Sequence, residues 1–342
     1  MTATFALPPD AEATAPPEWH GLQRDEVRLM AVRPGSTSSV RFRDLPELLE
    51  PGDLVVVNTS GTLPGRLPAR RADGVVVPLH WSTELDDGDW VVELRRPDNS
   101  GPDLGTEPGT VLGLPDGVRI TLLSGHPDPA RPSRLWRART APRVPGTAYL
   151  REHGTPIGYG YLRGEFPLAA FQTVYAVEPG SAEMASAGRP FTDRVLVRLM
   201  ARGVTVLPLV LHTGVSSPEA HEPPAPERFA VPAATARLVT ATRGAGGRVV
   251  AVGTTVTRAL ETATGEDGVT RPASGWTDLV LGEDHPATVV TGLVTGLHAP
   301  EASHLQLLAA VAGAELVDEA YRTAVDARMQ WHEFGDSMLF LP

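Results

Sequence analysis

Cysteine is absent from this 342-residue chain, and so is lysine: all 30 basic residues are arginine. Without cysteine there is no thiol nucleophile, no disulfide, no Cys-ligated zinc and no iron–sulfur cluster. Without lysine there is no Schiff base with pyridoxal phosphate or a carbonyl substrate, and no phosphate-loop lysine. The chemistry is left to Arg, His, Asp, Glu, Ser, Thr, Tyr and backbone groups, or to a reactive cosubstrate. Long apolar runs are missing too, and MTATFALPPDAEATAPPEW has neither the basic start nor the apolar core of a signal peptide, so the cytoplasm is the expected location. His212, His221, His298, His304 and His332 are scattered without a ligand spacing, and His298 and His304 lie six apart across a proline, so no metal is expected.

What is present is an acidic, globular composition. The net charge of −11 argues against a protein coated with nucleic acid, while leaving room for a local basic groove. A short β-branched run in GGRVVAVGTTVTRALE (Gly246–Glu261) reads as a buried strand, broken by Gly253 and followed by a helix that Thr254 or Thr255 would cap. A strand feeding straight into a helix aims unpaired N–H groups above the sheet, a seat for carboxylate or phosphate. Leu54–Val57, Val204–Leu211 and Val289–Leu297 are further apolar strands. Their exits carry Asn58, His212 and His298, and residues at several strand ends converge on one crevice in an α/β sheet. Thr192 is placed to cap a helix over Asp193–Arg202, and Phe5 and Leu7 would anchor an extended N-terminal arm.

Between Arg66 and Ala148 the texture changes to short alternating strands separated by Gly, Pro and Asp turns, which predicts a small antiparallel β-barrel inserted at 66–148 in an α/β main domain with a mixed sheet, formed by 1–65 and 149–342. Its last strand carries Arg131, Arg134, Arg137, Arg139 and Arg143 beside Trp136 with no acid between them, either a solvated face or a track for a nucleic-acid backbone.

With these segments laid out, the chain resembles the S-adenosylmethionine:tRNA ribosyltransferase-isomerase family of queuosine biosynthesis. The likeness spans nearly the whole chain and is strongest in FQTVYAVEPGS (Phe171–Ser181), Gly246–Glu261, SGWTDLVL (Ser274–Leu281), TGLHAPEASHLQLLAAVAG (Thr295–Gly313) and FGDSM (Phe334–Met338). The resemblance implies S-adenosylmethionine as ribosyl donor, with no metal, pyridoxal phosphate or iron–sulfur cluster. It implies an acceptor amine on 7-aminomethyl-7-deazaguanine in tRNA, attack of that amine at C5′, loss of methionine and adenine, and formation of an epoxycyclopentane. The sulfonium supplies activation, and the protein supplies a base, an anion seat and positioning. Carried onto this sequence, Thr254 and Thr255 would seat an anionic donor group and Arg258 would pair with the methionine carboxylate. His298 and His212 would act as bases or orienters near C5′, Asp336 would bind a ribose hydroxyl or the sulfonium, and Gln172 and Tyr175 would frame adenine.

The sequence also departs from the family pattern. Ala187-Gly-Arg-Pro-Phe-Thr192 has Pro190 in place of a histidine, Gly61 stands where an arginine is expected after Asn58, and Gly296-Leu297-His298 replaces Asn-Phe-His. Pro156–Tyr161 replaces a Pro-Pro-Tyr segment, and Met329-Gln-Trp-His-Glu-Phe334 replaces Tyr-Arg-Phe-Phe-Ser-Tyr. The Met-His-x-Glu loop is not recognisable in His221–Glu227. Loss of polar partners from a site changes what it binds. Three functions therefore stand: the family reaction on tRNA, a related reaction on a small-molecule acceptor such as a nucleoside or natural-product intermediate, and a non-catalytic S-adenosylmethionine-binding protein. A monomer or weak homodimer is expected, with no membrane partner.

Overall fold

The computed structural model describes residues 5–130, 134–215, 224–300 and 302–341. In chain order the strands are β1 (Arg28–Arg33), β2 (Ser36–Arg41), β3 (Leu54–Asn58), β4 (Ser60–Thr62), β5 (Arg66–Arg70), β6 (Val76–Glu84), β7 (Trp90–Leu94), β8 (Val111–Gly113), β9 (Arg119–Gly125) and β10 (Leu135–Ala141). They continue with β11 (Glu178–Ser181), β12 (Thr205–Leu211), β13 (Glu227–Val231), β14 (Val249–Val252), β15 (Ala273–Thr277), β16 (Gly292–Gly296) and β17 (Ser337–Phe340). The helices are α1 (Leu45–Leu48), α2 (Gly146–His153), α3 (Asp193–Ala201), α4 (Ala233–Gly244), α5 (Thr254–Thr262), α6 (His304–Ala312) and α7 (Ala314–Asp326).

Nine strands form one mixed sheet in the order β15-β13-β12-β3-β14-β16-β17-β1-β2. Its centre, β12-β3-β14-β16, is parallel. Those strands read as near-continuous apolar runs because helices cover both faces. Leu54, Val56, Val249, Ala251 and Leu293 point into a core shared with α4, α5, α6 and α7. Val55, Val57, Val250, Val252 and Val294 point the other way, against Phe42, Phe191, Val195 and Leu199. The two-residue alternation thus feeds two cores from one set of strands. At the opposite edge from the strand exits, Asp53 accepts from the Arg248 guanidinium at 2.9 Å and locks the starts of β3 and β14 together.

All six strands from β5 to β10 lie within the 66–148 segment, and their antiparallel pairing closes on itself in the order β10-β7-β6-β5-β8-β9 around a core of its own. Sequence periodicity located four of them. It missed β5 because Pro68 interrupts the run; Pro68 faces Pro78 across β5 and β6, so neither residue has an N–H to give at that rung. β8 is only three residues long, and β13 and β15 carry too few apolar residues to stand out.

Two expectations need correction. The strand expected over Val289–Leu297 is confined to Gly292–Gly296. The N–H groups of Val289 and Val290, at 3.0 and 2.9 Å, go to the Glu261 carboxylate of α5 and not to a ladder. Neither Thr254 nor Thr255 caps α5: the N-cap is Gly253, at φ 91°, and no side chain takes the first helical N–H groups. Thr192 does cap α3, accepting from the Val195 N–H at 3.2 Å. Phe5 anchors the N-terminal arm, with its ring centroid 5.0 Å from Tyr321 and 5.2 Å from Trp331, and Leu7 packs against the same core.

Candidate active site

Because β12, β3, β14 and β16 run parallel, their C-terminal ends lie along one edge of the sheet. A cavity of about 370 Å³ opens there, bounded by the β14–α5 turn, the residues after β16, the Ile157–Tyr161 segment, His332 and Glu333, and His80 and Arg95 from the six-stranded ring. A smaller cavity of about 110 Å³ adjoins it and shares Thr213, Val215, Thr254, Thr255 and His304.

Gly253 builds the turn. Its positive φ is open to glycine but costly for other residues, and a Cβ there would come 3.3 Å from that of Ala187. The turn leaves the first N–H groups of α5 without a side-chain cap, at the positive end of the helix dipole, between Thr254 and Thr255 on the cavity wall. Asn58 fixes the neighbouring strand ends. Its Nδ2 donates to Leu211 O at 2.8 Å and to Thr255 Oγ1 at 3.3 Å, while its Oδ1 accepts from Leu211 N and Ser60 N at 3.0 and 3.1 Å.

His298 is a cavity residue. Its Nε2 lies 3.0 Å from Thr295 Oγ1, and its ring stacks on His304 with centroids 4.4 Å apart and planes within 4°. Burial, together with the adjacent His304, holds His298 well below the usual imidazole range; burial first and then Arg258 push His304 down to about 4. Both rings are neutral at physiological pH. An imidazole with so low a pKa orients and accepts hydrogen bonds but is a weak proton acceptor. His80, pushed down to about 3 by burial and by Arg95, is neutral as well.

Three further rings of the cavity wall form a column: Tyr159 on Tyr161 at 5.6 Å, and Tyr161 on His332 at 4.6 Å. Glu183 and Glu333 flank it. Glu183 bonds the Tyr159 hydroxyl, whereas Oε2 of Glu333 is buried without a hydrogen-bond partner. Burial pushes the Glu333 carboxyl up to about 7.

Of the residues singled out from the sequence, the fold brings Thr254, Thr255 and His298 together on the main cavity and puts Arg258 on the smaller one. Arg258 is only 5% exposed and its guanidinium is occupied: Nε donates to Leu279 O at 3.0 Å, one terminal nitrogen to Thr277 O at 3.2 Å, and the other pairs with Glu227. His212 sits at the end of β12 as expected but lies behind the cavity wall, with Nδ1 2.7 Å from Ser60 Oγ and its ring against Gly180. Gln172 clasps the backbone of Thr62 with both ends of its amide, at 2.7 and 3.0 Å. Tyr175 leans on Phe191, its hydroxyl 3.4 Å from Gly188 O. Asp336 accepts from the N–H and guanidinium of Arg28 and from Gln330 N, bordering a separate hollow against the N-terminal arm. Tyr159, Tyr161, Glu183 and Glu333 escaped the sequence reading as binding residues, and His304 and His332 were weighed only as metal ligands, because the loops and the start of α6 that carry them meet only in three dimensions.

The arginine strand carries no free row of charge among its described residues. Arg137 and Arg139 converge on the buried Asp89, at 2.8 and 2.9 Å, Arg143 joins them at 3.1 Å, and Arg134 pairs with the buried Glu93. The acids stand on and beside the neighbouring strand, out of reach of a local sequence window. Arg131 lies outside the described residues, as do His221, Glu222 and Pro223 of the expected loop motif. No helix is long and apolar enough to cross a membrane among the described residues. The three-residue group within metal-binding distance there, Asp116, Glu152 and His153, is on the ring and α2, away from the cavity.

The sequence pattern of the queuosine biosynthesis protein family matches residues 2–340. Proteins named S-adenosylmethionine:tRNA ribosyltransferase-isomerase, from Symbiobacterium thermophilum and Thermus thermophilus, are each 36% identical to the chain, over 355 and 357 residues that cover 98% of both partners. The crystal structure of S-adenosylmethionine tRNA ribosyltransferase from Thermotoga maritima matches with a TM-score of 0.53 and 29% identity over 99% of each chain.

Proposed function

The chain belongs to the queuosine biosynthesis protein family, and on that premise we propose that it transfers and isomerises the ribosyl moiety of S-adenosylmethionine onto a 7-aminomethyl-7-deazaguanine base of tRNA, releasing adenine and methionine. The observation that carries this reading is the cavity at the parallel strand exits, whose wall holds both an uncapped helix N-terminus and a column of rings. In the reading the N–H groups of α5, with Thr254 and Thr255, seat the methionine carboxylate. His298, held by Thr295 and backed by His304, orients the ribose, and the Tyr159–Tyr161–His332 column supports the flat base of the acceptor. Arg258, His212, Gln172, Tyr175 and Asp336 act one layer out, fixing the strands and turns that carry the site. Residues 1–65 and 149–342 form the donor-binding unit, and the barrel of residues 66–148 closes its mouth through His80 and Arg95.

Incubation with S-adenosylmethionine, with and without tRNA carrying the precursor base, tests the proposal by the release of adenine and methionine. Release of both only with that tRNA supports it; failure to bind S-adenosylmethionine in calorimetry refutes it. A second reading, a small-molecule acceptor, is favoured by one observation: the arginines expected to hold phosphate are paired with Asp89 and Glu93. Under that reading the precursor tRNA gives no product, whereas a free nucleoside acceptor does.

A further inference from the structure

The wall of the main cavity carries groups of both electrical signs. The α5 N-terminus favours an anion. On the same wall two carboxylates, Glu183 and Glu333, accompany Tyr159, Tyr161 and His332, while every histidine on the wall whose titration is displaced is shifted toward the neutral form. Arg95, the arginine on this wall, is itself paired with Glu93. Glu183 already has the Tyr159 hydroxyl, but Oε2 of Glu333 has no donor. A buried carboxylate oxygen without a partner costs free energy unless a ligand supplies the hydrogen. Aromatic faces next to it favour a cation over a neutral donor.

We propose that Glu333 is an acceptor-specificity residue, its carboxylate receiving the protonated amine of a flat, ring-bearing second substrate stacked on Tyr159, Tyr161 and His332. The assignment rests on the ribosyl-transfer reading above, and adds to it the residue that recognises the amine. The raised carboxyl of Glu333 agrees with an empty cation seat: a bound ammonium favours its ionised form.

The test measures calorimetric affinities of wild type, Glu333→Gln and Glu333→Asp for three probes: S-adenosylmethionine, 7-aminomethyl-7-deazaguanine and 7-methyl-7-deazaguanine, which lacks the amine. Wild type should prefer the amine-bearing base by roughly tenfold or more, the scale of a charge-assisted hydrogen bond. Glu333→Gln should abolish that preference, Glu333→Asp should keep part of it, and affinity for S-adenosylmethionine should stay within about threefold in both variants, since its carboxylate is assigned to the α5 N-terminus and not to Glu333. An equal loss for both bases, an unchanged preference in Glu333→Gln, or a wild type that binds neither base overturns the assignment. If S-adenosylmethionine binds normally in any of those cases, the donor reading survives; if wild type binds no S-adenosylmethionine, that reading falls as well.

Discussion

Replacing Arg258 by alanine separates a ligand-binding arginine from a bracing one. The side chain leaves α5, the helix whose N-terminus faces the cavity, and ties it to β13 through Glu227 and to the end of β15 through the carbonyls of Thr277 and Leu279. Glu227 stays behind in the variant. It is buried, and burial already raises its carboxyl despite the nearby guanidinium, so its remaining described partner would be the Gly214 N–H at 3.0 Å. Breaking such a pair from one side costs about 3–5 kcal/mol, because a desolvated charge loses its counterion. At roughly 2 °C per kcal/mol for a chain of this size, the midpoint of thermal unfolding should fall by about 6–10 °C. The double variant Arg258→Met, Glu227→Gln removes both charges at nearly constant volume and should recover more than half of the loss. Calorimetry and urea unfolding of the two variants and of Glu227→Gln complete the cycle. An Arg258→Ala protein with unchanged stability but a tenfold weaker hold on S-adenosylmethionine would refute the bracing argument and return Arg258 to the donor carboxylate.

Glu333 makes a pH prediction. Its carboxyl titrates near 7 in the fold against 4.5 for the free side chain, so the native protein keeps a proton the unfolded chain has lost. That stabilisation is complete below about pH 4.5 and gone above about 7, a loss of about 3 kcal/mol. Glu333→Gln should therefore gain stability relative to wild type between pH 5 and 8 in urea titrations, and a constant difference would contradict the burial. Gly253→Ala places a side chain at φ 91° and should cost about 1–3 kcal/mol by unfolding, with a weaker grip on S-adenosylmethionine than Gly268→Ala, whose glycine also has positive φ but lies away from the cavity. Arg139→Ala should lower ring stability while leaving the salt dependence of tRNA binding unchanged; a slope smaller by about 0.7–0.9 would show a lost phosphate contact.

The parallel core was legible because its signal is local. Five consecutive buried residues in Leu54–Asn58, four in Val249–Val252, and a glycine with an abrupt change of texture after the second announce strands covered on both faces. Convergence of the exits followed from topology alone. Long-range pairing was not legible. Arg258 reads on its helix as a free cation because Glu227 is 31 residues away, and the arginine strand reads as basic because Asp89 is 50 residues from Arg139. Asp336 reads as a site acid because nothing nearby in sequence shows Arg28 waiting for it, 308 residues distant. In each case the polar residue was found and its protein partner was not.

The same reasoning explains why Glu333 escaped notice. A carboxylate in a loop is unremarkable in sequence, since water satisfies most of them. What distinguishes Glu333 is that the Ile157–Tyr161 segment and the turn through His332, which takes φ 70°, enclose it while giving Oε2 no donor. Asp89, Glu93, Glu227, Glu261 and Asp336 are equally enclosed or nearly so, and each has its arginine or backbone N–H groups. The buried acids named above are each met by an arginine, backbone N–H groups or both, so Oε2 of Glu333, on the cavity wall beside three aromatic rings, marks where the fold leaves a charge for the substrate to answer.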